Sequence, residues 1–388
     1  MMKSKYLPPM LFLAMLTFLS INCGTLDMSL VHSKSTASAG AAEGPSKSSP
    51  NPGSAEAVAA DSDGTSGVTE TAVPDSARTA PVQIHAEPKT ILEYPGWHVA
   101  WSPDGKWLLL GEREVHILDA QTLTEARSIQ ADRWVEGMAV SPDSRILAMI
   151  DESRGVMLFD IVTGSELRTI PHTDISTSAV SGSFLAFSPD SATLAVILGE
   201  VVKLYRVSDG EELSTFIPKP DNLSPYFSAS ALAFSRDGGK LFVGGMGIAV
   251  IQVSDGTQEQ VFGNDTRCMA LSPDGTLLVS AGTFNNQPVT VWEAATGRQL
   301  RTLTEPGETE IGLGVSVMAF SPDSRVLATA SSDATIKLWD IASGSLIQTL
   351  VGHTSAVSGL AFSPDGKMLA SGTKEEGGQA GVRLWSIF

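Results

Sequence analysis

Seven times along the chain a hydrophobic residue runs into Ser-x-Asp followed by Gly or Ser. The copies are Ser102-Pro103-Asp104-Gly105, Ser141-Pro142-Asp143-Ser144, Ser188-Pro189-Asp190-Ser191, Ser235-Arg236-Asp237-Gly238, Ser272-Pro273-Asp274-Gly275, Ser321-Pro322-Asp323-Ser324 and Ser363-Pro364-Asp365-Gly366. Their serines are 39, 47, 47, 37, 49 and 42 residues apart. A period of this size marks a stacked array, in which one unit cannot cover its own apolar faces and neighbours must share a core.

The unit can be read from its local chemistry. Proline sets φ for the second position of a turn, serine and aspartate bond to nearby backbone, and glycine tolerates the exit. Short β-type runs flank each turn, such as residues 317–320 before it and 326–330 after it. A third run, 335–340, alternates apolar and polar residues. A second turn follows at Thr163-Gly164, Asp209-Gly210, Asp255-Gly256, Thr296-Gly297 or Ser343-Gly344, where glycine supplies a backbone with φ > 0. A fourth run comes next, for example 345–350. These features predict an all-β chain: a seven-bladed β-propeller whose blades are four-stranded antiparallel sheets.

The residues from 82 to 388 resemble the WD40 repeat family, most clearly in 327–340 and in Gly352-His353 through Gly366. The resemblance implies a buried hydrogen-bonded set of tryptophan, Ser/Thr, histidine and aspartate in each blade. At the tryptophan position this chain reads Leu118, Phe159, Tyr205, Ile251, Trp292, Trp339 and Trp385. Blade six keeps Thr329, Asp333 and Trp339, and blade seven keeps His353, Ser371 and Trp385, with an insertion at 374–380 displacing the aspartate. No blade holds all four. Most blades read as largely apolar at this site, which avoids unpaired buried polar groups.

The third strand of blade seven is 382–388, and no fourth strand follows it in this sequence. Residues 90–98 align with 347–353, so the expectation is that residues near Lys89 to Glu93 close the last blade from the N-terminal side.

Lys3 and Lys5 precede an apolar run from 7 to 21, the length of a signal-peptide core. Leu19-Ser20-Ile21-Asn22-Cys23-Gly24 resembles a bacterial lipoprotein box, which implies lipid on Cys23 after removal of 1–22. It departs from that pattern in having leucine four before the cysteine and Asn22 directly before it. Residues 23–81 are rich in Ser, Ala, Gly, Pro and Thr without hydrophobic periodicity and read as a disordered tether. Such a chain spans about 40–45 Å root-mean-square at about 5–6 Å × √n. The expected location is the bacterial cell envelope, lipid-anchored at the outer membrane or cell surface; a secreted or periplasmic protein is the alternative. The only other cysteine, Cys268, reads as a buried small hydrophobe.

The net charge of −17, from 43 acidic and 26 basic residues, comes without a basic cluster and argues against nucleic acid as a partner. His32, His85, His98, His116, His172 and His353 show no metal-ligand spacing, and Gly-x-Ser-x-Gly does not occur. No cofactor, metal or catalytic residue is expected. Gly244-Gly245-Met246-Gly247 lies between two strands of one blade and reads as a turn.

In WD40 propellers the loop leading into each blade and the loop between its second and third strands share one rim, usually the binding face. Long lead-in loops are expected at 171–183, 218–230 and 304–314. Trp97, Arg133, Trp134, Tyr226, Phe227 and Phe284 are the candidate partner-binding residues there. The reading is a monomeric, membrane-tethered scaffold or assembly factor for a protein or peptide partner. The alternatives are an enzyme or small-ligand binder using the central channel, and a surface adhesion or sensing module.

Overall fold

A computed structural model describes residues 82, 84–92, 94–151, 153–171, 184–219, 229–282, 288–303, 314–373 and 381–388. Residues 1–22, expected to be a leader, and 23–81, expected to be a tether, lie outside the described residues. The described residues form seven four-stranded antiparallel sheets and no helix. Blade one runs His98–Trp101, Trp107–Gly111, Glu114–Asp119 and Glu125–Gln130. Blades two to six follow in the same order, and the first strands of successive blades touch in a ring that returns from blade seven to blade one.

Burial follows position within the blade. The second strand of blade two, Ile146–Asp151, is buried after its first residue, whereas the fourth strand of blade one is mostly exposed. Seven apolar clusters make up the core, and each lies between two adjacent blades. Leu109 of blade one, for instance, packs with Leu147 and Met149 of blade two. No blade owns a core, which is the physical reason the repeat must be stacked and closed.

The Ser-x-Asp turns behave as their residue types require. The serine hydroxyl donates to the aspartate at 2.5–2.7 Å in all seven copies. It also accepts the backbone N–H five residues on, at 2.9 Å each time. The serine hydroxyl, then the backbone N–H two residues beyond the aspartate, hold Asp190, Asp237 and Asp365 below the ordinary carboxylate range.

At the exit position four copies have Gly and three have Ser. Ser144, Ser191 and Ser324 adopt φ of 65°, 61° and 61°, a conformation unfavourable for a residue with a Cβ. Their hydroxyls accept the N–H of Asp104, Asp143 and Asp274 in the preceding blade. The serine exits therefore stitch blade one to two, two to three and five to six.

Blade seven is closed from the N-terminal side. Ala86–Leu92 pairs antiparallel with Val382–Ile387, longer at its start than residues 89–93 alone. Pro88 is tolerated because this is an outer edge strand, where a missing N–H costs no ladder bond. The register irregularity at Pro88/Thr90 lies opposite Trp385 and Leu384, matching the bulge beside the tryptophan position in the other six blades. The Gln348 amide of blade six pairs with both backbone groups of Ala86, at 2.8 and 2.9 Å. Further along, the Val82 N–H reaches Asp340 at 3.2 Å, so the closing segment grips blade six as well.

Candidate binding rim

The lead-in loop of each blade and its second-to-third-strand turn do share one end of the propeller. In blade one His98 pairs with Gly111, and the Trp97 N–H donates to Gly111 O at 2.9 Å. The Glu112–Arg113 turn then crosses to blade two, accepting the Val135 N–H at 2.7 Å and the Ala131 N–H at 3.0 Å.

Two of the candidate residues meet there. The Trp97 and Trp134 rings stack with centroids 4.6 Å apart and planes 20° from parallel. The Arg113 guanidinium carbon sits 4.0 Å above the Trp134 ring, an arrangement that favours a cation over the π face. Both tryptophans are half-buried, while Arg113 and Arg133 are exposed.

The stack stands on a rigid base. Trp97 O accepts the Ser358 hydroxyl of blade seven at 3.2 Å. Backbones approach so closely that a Cβ on Gly359 would lie 2.4 Å from Trp97 O, and one on Gly372 2.2 Å from Gly96 O. Any side chain at either position would push the loop outward.

On the blade-two side, the fully buried Asp151 accepts the Arg133 N–H at 2.9 Å. The same carboxylate accepts the Ser153 N–H at 2.7 Å, the Ser153 hydroxyl and the Arg154 N–H. Burial opposes ionisation of Asp151, but the Ser153 hydroxyl and these N–H groups together hold its pKa below the ordinary range. His98 lies beneath the rim; desolvation pushes its pKa down to about 4 against a backbone hydrogen bond with Val135. The imidazole is therefore neutral at pH 7.

Sequence patterning located Trp97, Arg133 and Trp134 at this rim but missed Arg113 and Asp151, which belong to the paired turns. Tyr226, Phe227 and Phe284 lie outside the described residues, as do loop residues 172–183, 220–228, 304–313 and 374–380. Met246, half-exposed, caps the glycine-rich turn of blade four, where Gly245 pairs with Gly247.

The expected structural residues are divided between two tasks. In blade six Trp339 Nε1 donates to Thr329 Oγ1 at 2.9 Å. Asp333 is exposed and accepts the Thr335 N–H and hydroxyl at 2.8 and 2.7 Å, so it shapes the second-to-third-strand turn. In blade seven the Ser371 hydroxyl takes the Trp385 N–H at 2.9 Å and lies 2.7 Å from His353 Nε2. Burial, aided by Arg383, pushes the His353 pKa down to about 4. Its Nδ1 is buried without a hydrogen bond among the described residues. Cys268 is buried, and desolvation raises its thiol to about 12, so it behaves as a small apolar side chain. Strand pairing brings together Glu114, His116 and Glu125, which no metal-ligand spacing in the sequence marks.

Residues 297–340 and 344–386 match the family model described as WD domain, G-beta repeat. Each matched segment begins with or just before the fourth strand of one blade and runs through the third strand of the next, so the sequence repeat straddles two sheets. Among curated proteins, the COMPASS component SWD3 of Saccharomyces cerevisiae is 27% identical over 54% of this chain and 65% of its own length. The small ribosomal subunit protein RACK1 of Caenorhabditis elegans is 31% identical over 29% of this chain and 34% of its own. An uncharacterized WD repeat-containing protein of Synechocystis is 34% identical over 35% and 40%. The matches thus span less than two thirds of these relatives.

Proposed function

We propose that this propeller, with its WD40 repeats, is an interaction scaffold that takes a protein or peptide partner on the rim where blades seven, one and two meet. The observation that carries the reading is the Trp97–Trp134 stack under Arg113. Large aromatics and arginine on a fixed backbone are the residue types that dominate binding energy at interfaces. Asp151 and the Gly359 and Gly372 contacts hold that backbone before a partner arrives, which lowers the ordering cost of association. Two of the relatives are named for multi-component assemblies, COMPASS and the small ribosomal subunit, which accords with a binding role.

The tether is the second element of the proposal. Cys23 is acylated once 1–22 is removed, and 23–81 holds the propeller away from the membrane in the bacterial envelope. Its support is the apolar run, the cysteine and the Ser/Ala/Gly/Pro-rich composition. The partner is a protein or peptide and not a nucleic acid, in keeping with the net charge of −17. Affinity capture from native cells, followed by mass spectrometry of the partner and of the Cys23 peptide, tests both elements. Trp134→Ala with Arg113→Ala is expected to abolish capture without lowering the melting temperature by more than a few degrees. Undiminished capture would refute the rim, and an unmodified Cys23 on the mature protein would refute the anchor.

A further inference from the structure

On blade one, away from the tryptophan stack, three potential ligands converge. Glu114 and His116 are two residues apart on the third strand and therefore share a face. Glu125 begins the fourth strand. The bulge at Ile117/Leu118 sets Glu125 opposite Leu118, and so on the face of Glu114 and His116; unbroken pairing would have put Ala126 there. One donor atom from each of the three lies within 4.8 Å of the other two.

The state of the histidine adds a second observation. Its Nδ1 is buried and makes no hydrogen bond among the described residues. The nearest carboxylate oxygen, Glu125 Oε2, is 3.4 Å away, close enough for an ion pair but not aligned for a hydrogen bond. The Tyr94 ring covers the imidazole, centroids 5.0 Å apart, and limits its rotation. A buried ring nitrogen without a hydrogen bond, close to two carboxylates, is an environment that a divalent cation satisfies.

We propose that Glu114, His116 and Glu125 bind one first-row divalent cation, zinc by preference, clamping the outer two strands of blade one. A zinc ion with bonds of about 2.0–2.2 Å needs its ligand atoms about 3.3–3.6 Å apart in a tetrahedron, so modest rotations of the two glutamates complete the site. One imidazole and two carboxylates leave a fourth position for water. The nitrogen ligand selects against magnesium and calcium, which favour oxygen. The site draws on residues other than those of the rim, so it stands or falls independently of the partner proposal.

The test is calorimetric titration of ZnCl2 into EDTA-treated full-length protein, with melting curves on the same samples. Wild type is expected to bind one Zn2+ per chain and to melt higher with it. His116→Gln is expected to weaken binding at least about tenfold. Glu114→Gln and Glu125→Gln should each weaken it too, and neither removes a buried side chain, so they report even if the histidine variant folds poorly. His85→Gln, changing an exposed histidine paired with Glu87, should bind as wild type. Absence of stoichiometric zinc binding, equal affinity for Mg2+, or unchanged binding in all three ligand variants would overturn the proposal. In that event the His116–Glu125 contact is an ion pair only.

Discussion

Blades five to seven and blades one to four solve the same packing problem in opposite ways. In the first group a tryptophan N–H meets a hydroxyl on the neighbouring strand: Trp292 with Ser280, Trp339 with Thr329, Trp385 with Ser371, each at 2.9 Å. In the second group neither tryptophan nor hydroxyl is present, and both members are apolar except that blade three has the phenol of Tyr205 at the tryptophan position. Leu118, Phe159, Tyr205 and Ile251 replace the tryptophan, and Leu110, Met149, Val196 and Val243 stand where the hydroxyl would be. All four of these latter residues are buried without polar atoms in the side chain. The two positions go together within a blade, because a tryptophan without the hydroxyl, or a hydroxyl without the tryptophan, would strand a buried donor or acceptor. The family model matches only within 297–386, where the polar pairs of blades six and seven lie; architecture extends beyond recognisable sequence because burial needs shape and apolarity, not tryptophan.

That contrast can be broken from either side. The largest effect is expected from Ser371→Ala, which removes one hydroxyl from both Trp385 and His353: about 2–3 kcal/mol of stability, read by urea denaturation. Thr329→Val in blade six and Val243→Thr in blade four are the same swap in opposite directions. Both should destabilise, by about 1–3 kcal/mol, the first by orphaning the Trp339 N–H and the second by burying an unpaired hydroxyl. A stabilising Val243→Thr would mean that blade four holds a hidden polar partner.

Acid should distinguish the groups next. His353, in the polar group, has its pKa lowered to about 4 from 6.5 in the fold, so the unfolded chain binds the extra proton first. Its contribution is complete above pH 6.5 and is lost as pH falls from there towards 4. His353→Gln should therefore show a shallower fall of melting temperature across that window. Below it the depressed carboxylates of Asp190, Asp237 and Asp365 lose their stabilising share in turn. The smallest effect lies at the turn exits. Ser144→Ala keeps the positive φ but removes the link to Asp104, costing about 1 kcal/mol, whereas Ser144→Gly relieves the strain and should be nearly neutral.

What was legible in the sequence was what local chemistry enforces. The Ser-x-Asp turns close through bonds five residues apart, so seven copies announced seven blades, and the alignment of 90–98 with 347–353 announced the closing strand. Contacts between repeats were not legible. Nothing near Ser144 indicates that its hydroxyl serves a turn forty residues earlier. Rim positions followed from the repeat, but the stacking of Trp97 on Trp134 depends on how blades one and two are rotated. Asp333 sits where the family's aspartate is expected, yet Thr335 two residues on gives it a turn to shape instead. The Glu125 side chain reaches His116 only because a bulge shifts the register.

Docking of a partner where blades seven, one and two meet is open to a direct test. A photo-crosslinking amino acid at position 133, exposed beside the Trp134 stack, tests it against the same probe at 213, exposed on the outer edge of blade three. Docking at this rim predicts a discrete adduct from position 133 in native cells, absent when Trp97 is changed to Ala, and none from 213. An adduct from 213 with none from 133 would contradict it.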